Sequence, residues 1–166
     1  QLFDIQPDKL DVFLSELAKG RIADGINVTI PHKVRAKEFL ERHGSLDENA
    51  RRLGAVNTIA VMPSGLKGYN TDGPGFYRSL VEDLRFEPEN KTISVLGAGG
   101  AAMAVILYLG NAPRHIYVAD IDAAKTDAIR KQYSSYFDAG KLTVIGPAGG
   151  STGPQGGFAE ALAASD

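Results

Sequence analysis

The chain has 166 residues, 43% hydrophobic and 23% charged, with a formal net charge of -2 and no cysteine; this is enough for one ordinary domain or two small ones, each with a core. The missing cysteines exclude disulfides, zinc thiolate sites and thiol catalysis and suit a reducing compartment, so the expected location is cytoplasmic. Mixed charge gives no footprint for nucleic acid or an anionic membrane, no apolar run has the length of a membrane span, and His32, His43 and His115 lack ligand spacing, so the expected partner is a small molecule and no metal is expected.

Pro7 to Lys19 places Leu10, Phe13, Leu14 and Leu17 at i, i+3, i+4 and i+7, one buried face of a helix ended by Gly20. Ile26 to Ile30 reads as a strand stopped by Pro31, and Val34 to His43 as a helix with Val34, Phe39 and Leu40 apolar among charges. Ser45-Leu46-Asp47-Glu48 has capping-box spacing and predicts a helix running to Leu53. Asn57 to Met62, the turn Pro63-Ser64-Gly65, and Leu66 to Asn70 predict a β-hairpin. Directly after Asp72, Pro74 to Arg85 reads as a helix with Phe76, Leu80, Val81 and Leu84 at helical spacing. Phe86 to Lys91, polar and containing Pro88, reads as a linker.

From Lys91 the pattern changes to strand, glycine turn and helix. Ile93 to Leu96 favours strand, Ala101 to Leu109 is an apolar helix closed by Gly110, and between them Gly97-Ala98-Gly99-Gly100-Ala101-Ala102 fits G-x-G-x-x-G/A. Glycines allow a sharp turn close to a pyrophosphate, and the N-H groups and positive dipole end of the following helix attract its charge. Arg114 to Ala119 reads as a second strand ending in Asp120, about 20 residues on, where an acidic side chain accepts hydrogen bonds from ribose hydroxyls and repels a 2'-phosphate. That predicts NAD in preference to NADP; the plainer reading of Asp120, an N-cap or turn residue before the helix at Ala123, is the weaker one because Asp122 can do that job itself. Ala123 to Phe137 follows as a helix with Ala128, Ile129 and Tyr133 as candidates for its buried side. Leu142 to Ile145 is a strand, Gly146 to Gly157 a mobile loop, and Phe158 to Ala164 a short helix. Alternating strands and helices from Ile93 predict a parallel sheet with right-handed crossovers.

Asn27, Thr29, Lys33, Asn57 and Asp72 each lie at or just beyond a predicted strand end, where polar side chains meet over clefts. Asn and Thr suit hydroxyl recognition, and a lysine beside a carboxylate suits proton transfer at an alcohol or ketone oxygen. Each also has a plainer reading: Lys33 as a surface lysine at a helix start, Asp72 as an N-cap, and Asn27 and Asn57 as satisfied turn residues.

The blocks Gly25-Ile26-Asn27-Val28-Thr29-Ile30-Pro31-His32-Lys33, Gly54-Ala55-Val56-Asn57-Thr58 and Gly68-Tyr69-Asn70-Thr71-Asp72-Gly73-Pro74-Gly75-Phe76, followed by Gly97 to Ala102, resemble the shikimate dehydrogenase family, including its quinate/shikimate branch. The resemblance implies an α/β chain: a partial substrate-binding α/β domain over 1–72, a connecting helix and linker over 73–90, and a partial Rossmann-type, parallel-sheet dinucleotide-binding domain over 91–166. It implies Lys33 and Asp72 as the catalytic pair, and Asn27, Thr29 and Asn57 as ligands of the ring hydroxyls of a cyclic polyhydroxy carboxylate. Gly97, Ala98, Gly99, Gly100, Ala101 and Asp120 would bind the cofactor. The implied reaction is reversible hydride transfer between shikimate and 3-dehydroshikimate, or quinate and 3-dehydroquinate, with a homodimer as one allowed assembly. Ala119-Asp120-Ile121 stands where NADP-using members carry an Asn-Arg-Thr type sequence, which adds to the expectation of NAD. The resemblance further implies an internal piece of a longer enzyme, with the carboxylate-binding serines outside the chain. An aminoshikimate-type dehydrogenase and a non-catalytic metabolite or NAD sensor on the same fold are the alternatives.

Overall fold

The computed structural model describes residues 1–147, 162, 163 and 165. The loop expected over Gly146 to Gly157 lies outside the described residues from 148 onward. The same holds for the short helix expected over Phe158 to Ala164, apart from Leu162 and Ala163. The chain is α/β and divides into two compact units, Gln1–Asp72 and Gly73–Asp166. Among the described residues no helix is long and apolar enough to cross a membrane.

The first unit opens with a 3₁₀ turn at Pro7–Lys9 leading into α1, Leu10–Leu17. Leu10, Leu14 and Leu17 are buried and Phe13 packs against the same core, as the i, i+3, i+4, i+7 spacing predicts. β1 is Gly25–Asn27, shorter than expected. The chain leaves the sheet because the Thr29 carbonyl accepts the His32 N-H, closing a turn at 2.9 Å. α2, Lys33–His43, buries Ala36, Phe39 and Leu40. Val34, although apolar, is 56% exposed, since a position two residues before Ala36 lies on the opposite side of a helix.

The capping-box helix is also revised. Ser45–Leu46 forms β2, parallel to Lys67 and Gly68 of β4, so the cap moves to Asp47, whose carboxylate accepts from the Ala50 N-H at 2.8 Å. Burial of Leu46 in the core holds those two residues in the sheet. α3 then runs Glu48–Leu53. β3, Thr58–Met62, and β4, Gly65–Tyr69, form the expected hairpin with Met62 opposite Gly65. The sheet order is β1-β3-β4-β2, with Asn27 of β1 opposite Thr58 of β3.

α4, Asp72–Arg78, begins at the last residue of the first unit and passes into a π-helical turn, Ser79–Asp83, in the second. That turn interrupts the 3.6-residue period, and the expected apolar stripe does not hold its register: Leu84 is 71% exposed. Phe76 and Leu80 line an apolar groove of about 620 Å³ with Val95 of β5 and Val105 of α5. β5 (Thr92–Leu96), α5 (Gly100–Leu109), β6 (His115–Ala119), α6 (Ala123–Gln132) and β7 (Leu142–Ile145) build a parallel sheet of order β5-β6-β7. α6 ends earlier than expected, at a 3₁₀ turn over Ser134–Tyr136. Its buried side is Thr126 and Ile129, while Ala128 and Tyr133 are only half-buried.

Gly73, the first residue of this unit, is set by close approach. A Cβ there would stand 2.6 Å from the Ala104 carbonyl oxygen and 2.8 Å from the Tyr108 Cβ of α5. Backbone cannot yield as a flexible side chain can, so Gly73→Ala is expected to lower stability by about 1–3 kcal/mol. Thermal unfolding followed by circular dichroism checks this, and an unchanged midpoint would show that α4 and α5 separate freely.

Candidate active site

Three strand ends of the first unit converge at Asn57. Its carbonyl accepts from the Val28 N-H at 2.7 Å, and its N-H donates to the Tyr69 carbonyl at 3.0 Å. The neighbouring Val56 N-H donates to the Lys33 carbonyl at 2.9 Å, tying the start of α2 to the same segment. This backbone frame brings side chains distant in sequence within reach. Lys33 Nζ donates to Asp72 Oδ2 at 2.9 Å, and Asn57 Nδ2 donates to Asp72 Oδ1 at 2.7 Å. Asn57 Oδ1 accepts from the Thr71 N-H at 3.0 Å, the Thr58 hydroxyl at 3.0 Å and the Thr71 hydroxyl at 3.3 Å.

Asp72 therefore has both carboxylate oxygens engaged by side chains, which orient it, and it is the first residue of α4 instead of the residue before the helix. Lys33 and Asp72 remain 29% and 33% exposed, so an ammonium held in one place still meets solvent or a ligand. That combination suits proton transfer and hydrogen bonding to an oxygen of a bound molecule. Asn27 joins at the margin, its Oδ1 accepting from the Thr58 hydroxyl at 3.4 Å. Thr29 is exposed in the turn after β1, and its side chain makes no hydrogen bond to the cluster among the described residues. Asn27 and Thr29 instead share the wall of a cavity of about 400 Å³ with His32, Phe3 and Phe13.

Sequence reasoning assigned no role to Asn70. It is 3% exposed, with Nδ2 donating to the Ala55 carbonyl and Oδ1 accepting from the Asp72 N-H, both at 3.1 Å. The available signal was an Asn two residues before a helix-opening Asp, the spacing of an Asx turn.

The second unit carries the glycine turn. Gly97 has φ +94°, a conformation that favours glycine, and its N-H donates to the Ala119 carbonyl at 2.8 Å. Ala98 is buried, Gly99 is the extended N-cap residue of α5 with no side chain capping it, and Gly100 and Ala101 begin the helix. A Cβ at Gly97, Gly99 or Gly100 would meet nothing within 4 Å, so the backbone is open to a close-lying group. An uncapped helix start beneath an open glycine backbone fits a dinucleotide pyrophosphate.

Asp120 serves the turn itself. Oδ2 accepts the Ala98 N-H at 2.7 Å and Oδ1 the Asp122 N-H at 2.8 Å. Those two N-H groups, the Ala98 one foremost, hold its carboxyl below the usual aspartate value. Asp122 caps α6 by accepting from the Ala124 and Lys125 N-H groups. Lys125 Nζ lies 3.9 Å from Asp120 and 3.8 Å from Asp122.

The first unit thus holds a lysine-aspartate pair, and the second a parallel sheet with a glycine turn suited to phosphate. Residues 1–59 match the shikimate dehydrogenase substrate binding domain. A relative named shikimate dehydrogenase (NADP(+)) from Desulforamulus reducens is 41% identical over 130 residues, which is 78% of this chain and 43% of the relative. One of the same name from Geobacter metallireducens is 38% identical over 136 residues, 81% of this chain and 46% of the relative. A shikimate dehydrogenase crystal structure in complex with NADP+ superposes with a TM-score of 0.75 at 33% identity, covering 87% of this chain and 49% of that one. The chain belongs to the shikimate dehydrogenase family, and it spans about half the length of these relatives.

The expected preference for NAD is overturned. These relatives are named for NADP+, and the superposed structure holds NADP+. The physical premise also fails, because Asp120 directs its oxygens to the Ala98 and Asp122 N-H groups and has a lysine cation nearby, so it is not simply a carboxylate presented to a ribose.

A depressed folded-state carboxyl value stabilises the fold above the unfolded value of 3.8, and that contribution is lost as pH falls through the lower folded value. Asp120→Asn is therefore expected to be less stable than the parent at pH 7 and to approach it below about pH 4. Denaturant unfolding at a series of pH values checks this; a difference independent of pH would remove the carboxylate's charge from the account.

Proposed function

We propose that the protein of which this chain is part is an NADP-dependent oxidoreductase interconverting a ring alcohol and ketone on a cyclic polyhydroxy carboxylate, either shikimate and 3-dehydroshikimate or quinate and 3-dehydroquinate. The observation that carries the reading is the Lys33-Asp72 hydrogen bond, with the second Asp72 oxygen fixed by Asn57. The names of the relatives supply the substrate and the cofactor.

The nicotinamide, when bound, supplies or accepts the hydride. In the reduction direction the Lys33 ammonium donates a hydrogen bond to the ketone oxygen and delivers a proton as negative charge develops there; in oxidation the same nitrogen takes the hydroxyl proton back. Asp72 keeps the ammonium in place, and Asn57 prevents the carboxylate from rotating away. Asn27 and Thr29, at the end of β1 and in the turn after it, offer a side-chain amide and a hydroxyl to ring hydroxyls. The open backbone of Gly97, Gly99 and Gly100 with the start of α5 would hold the pyrophosphate.

Reduction of NADP+ by shikimate, and separately by quinate, tests this in the full-length enzyme. Lys33→Ala is expected to lower kcat by about 100- to 10,000-fold, with a smaller change in KM. Near-parental turnover in that variant would remove Lys33 from the mechanism, and ligand binding without turnover in the parent would make the protein a sensor instead of an enzyme.

A further inference from the structure

We infer that Asn70 is a positioning residue for the Lys33-Asp72 pair, an inference that rests on the reading of that pair as the reaction's proton-handling groups. The side-chain bonds described above orient the Asp72 carboxylate, but a carboxylate is only as well placed as the backbone carrying it. The Asp72 N-H is held by Asn70 Oδ1, and the other end of the same amide is held by the Ala55 carbonyl. Ala55 is joined to Val56, whose N-H bonds the Lys33 carbonyl, and Val56 to Asn57, whose side chain bonds Asp72. Asn70 thus links the backbone of Asp72 to the short segment that also fixes the backbone of Lys33.

Asparagine has particular fitness for this position. It is buried, so both polar ends need partners, and it meets one backbone donor and one backbone acceptor in a single short side chain. Aspartate keeps the acceptor for the Asp72 N-H but sets an oxygen against the Ala55 carbonyl, and alanine loses both bonds and leaves that carbonyl without its side-chain partner. Asp72 opens α4, so loss of the link lets the first turn of the helix shift, moving the carboxylate relative to Lys33. A displacement of about 1 Å at a reacting group lowers a rate by roughly 100-fold.

The test is a double-mutant cycle on kcat in the full-length enzyme, using Asn70→Ala, Lys33→Ala and the double variant, at a temperature well below each variant's unfolding midpoint. Asn70→Ala is expected to lower kcat about 10- to 100-fold with KM changed less than about threefold, and to have little further effect once Lys33 is alanine. Asn70→Asp, which preserves shape, enters the same cycle and carries the test if the alanine variant does not fold. An equal loss in both backgrounds would make Asn70 merely structural, and full turnover in Asn70→Ala or Asn70→Asp would overturn its role while leaving Lys33 and Asp72 untouched. Normal turnover in Lys33→Ala would overturn the pair and the positioning role together.

Discussion

In the first unit the Asn57 backbone holds β1 to the β3-β4 hairpin through Val28 and Tyr69, while its side chain holds Asp72 from one end and Thr58 and Thr71 from the other. Few residues can do this. The position must be buried enough to complete the strand ends, yet polar enough to finish inside a cluster of hydrogen bonds, and Asn57 is 9% exposed with both ends of its amide engaged. Burial makes the cost of leaving one of those groups unpaired high, which in turn makes the local geometry single-valued.

The Lys33-Asp72 bond depends on that frame. The two residues are separated by 39 positions, and each stands at the first residue of a helix, Lys33 of α2 and Asp72 of α4. Helix starts are rigid platforms when their approach is fixed, and here the approach is fixed by backbone bonds from Lys33 to Val56 and by Asn70 beneath Asp72. Because the pair is a third exposed, its Coulombic attraction is moderated by water, and its placement comes more from the surrounding hydrogen bonds than from charge. The second unit solves a similar problem with a carboxylate: Asp120 takes the Ala98 N-H and so ties the glycine turn to the end of β6.

The sequence spelled out much of this. Leu10, Leu14 and Leu17, the β3-β4 hairpin and the alternation of β5, α5, β6, α6 and β7 follow from local periodicity and turn residues, and the structure keeps them. Ser45 and Leu46 carry a helix-start signal because a capping box is a local pattern, while their place in a strand depends on Lys67 and Gly68. The stripe through Phe76, Leu80 and Leu84 assumed an unbroken α-helix, and a π turn intervenes. The spacing of Asp120 behind the glycines points to a ribose ligand, but spacing does not reveal which backbone N-H groups a carboxylate will meet.

By itself, then, the order of residues settled the α/β character, the positions of most helices and strands, the open glycine turn and the family, because each is written in short-range pattern or in contiguous motifs. Only the tertiary structure decided that Lys33, Asn57 and Asp72 form one bonded cluster, that Thr29 stands apart from it, and that Asn70 lies under Asp72. Hydrogen bonds between side chains tens of residues apart exist only once the strands carrying them have been brought into register, and no local rule encodes that register.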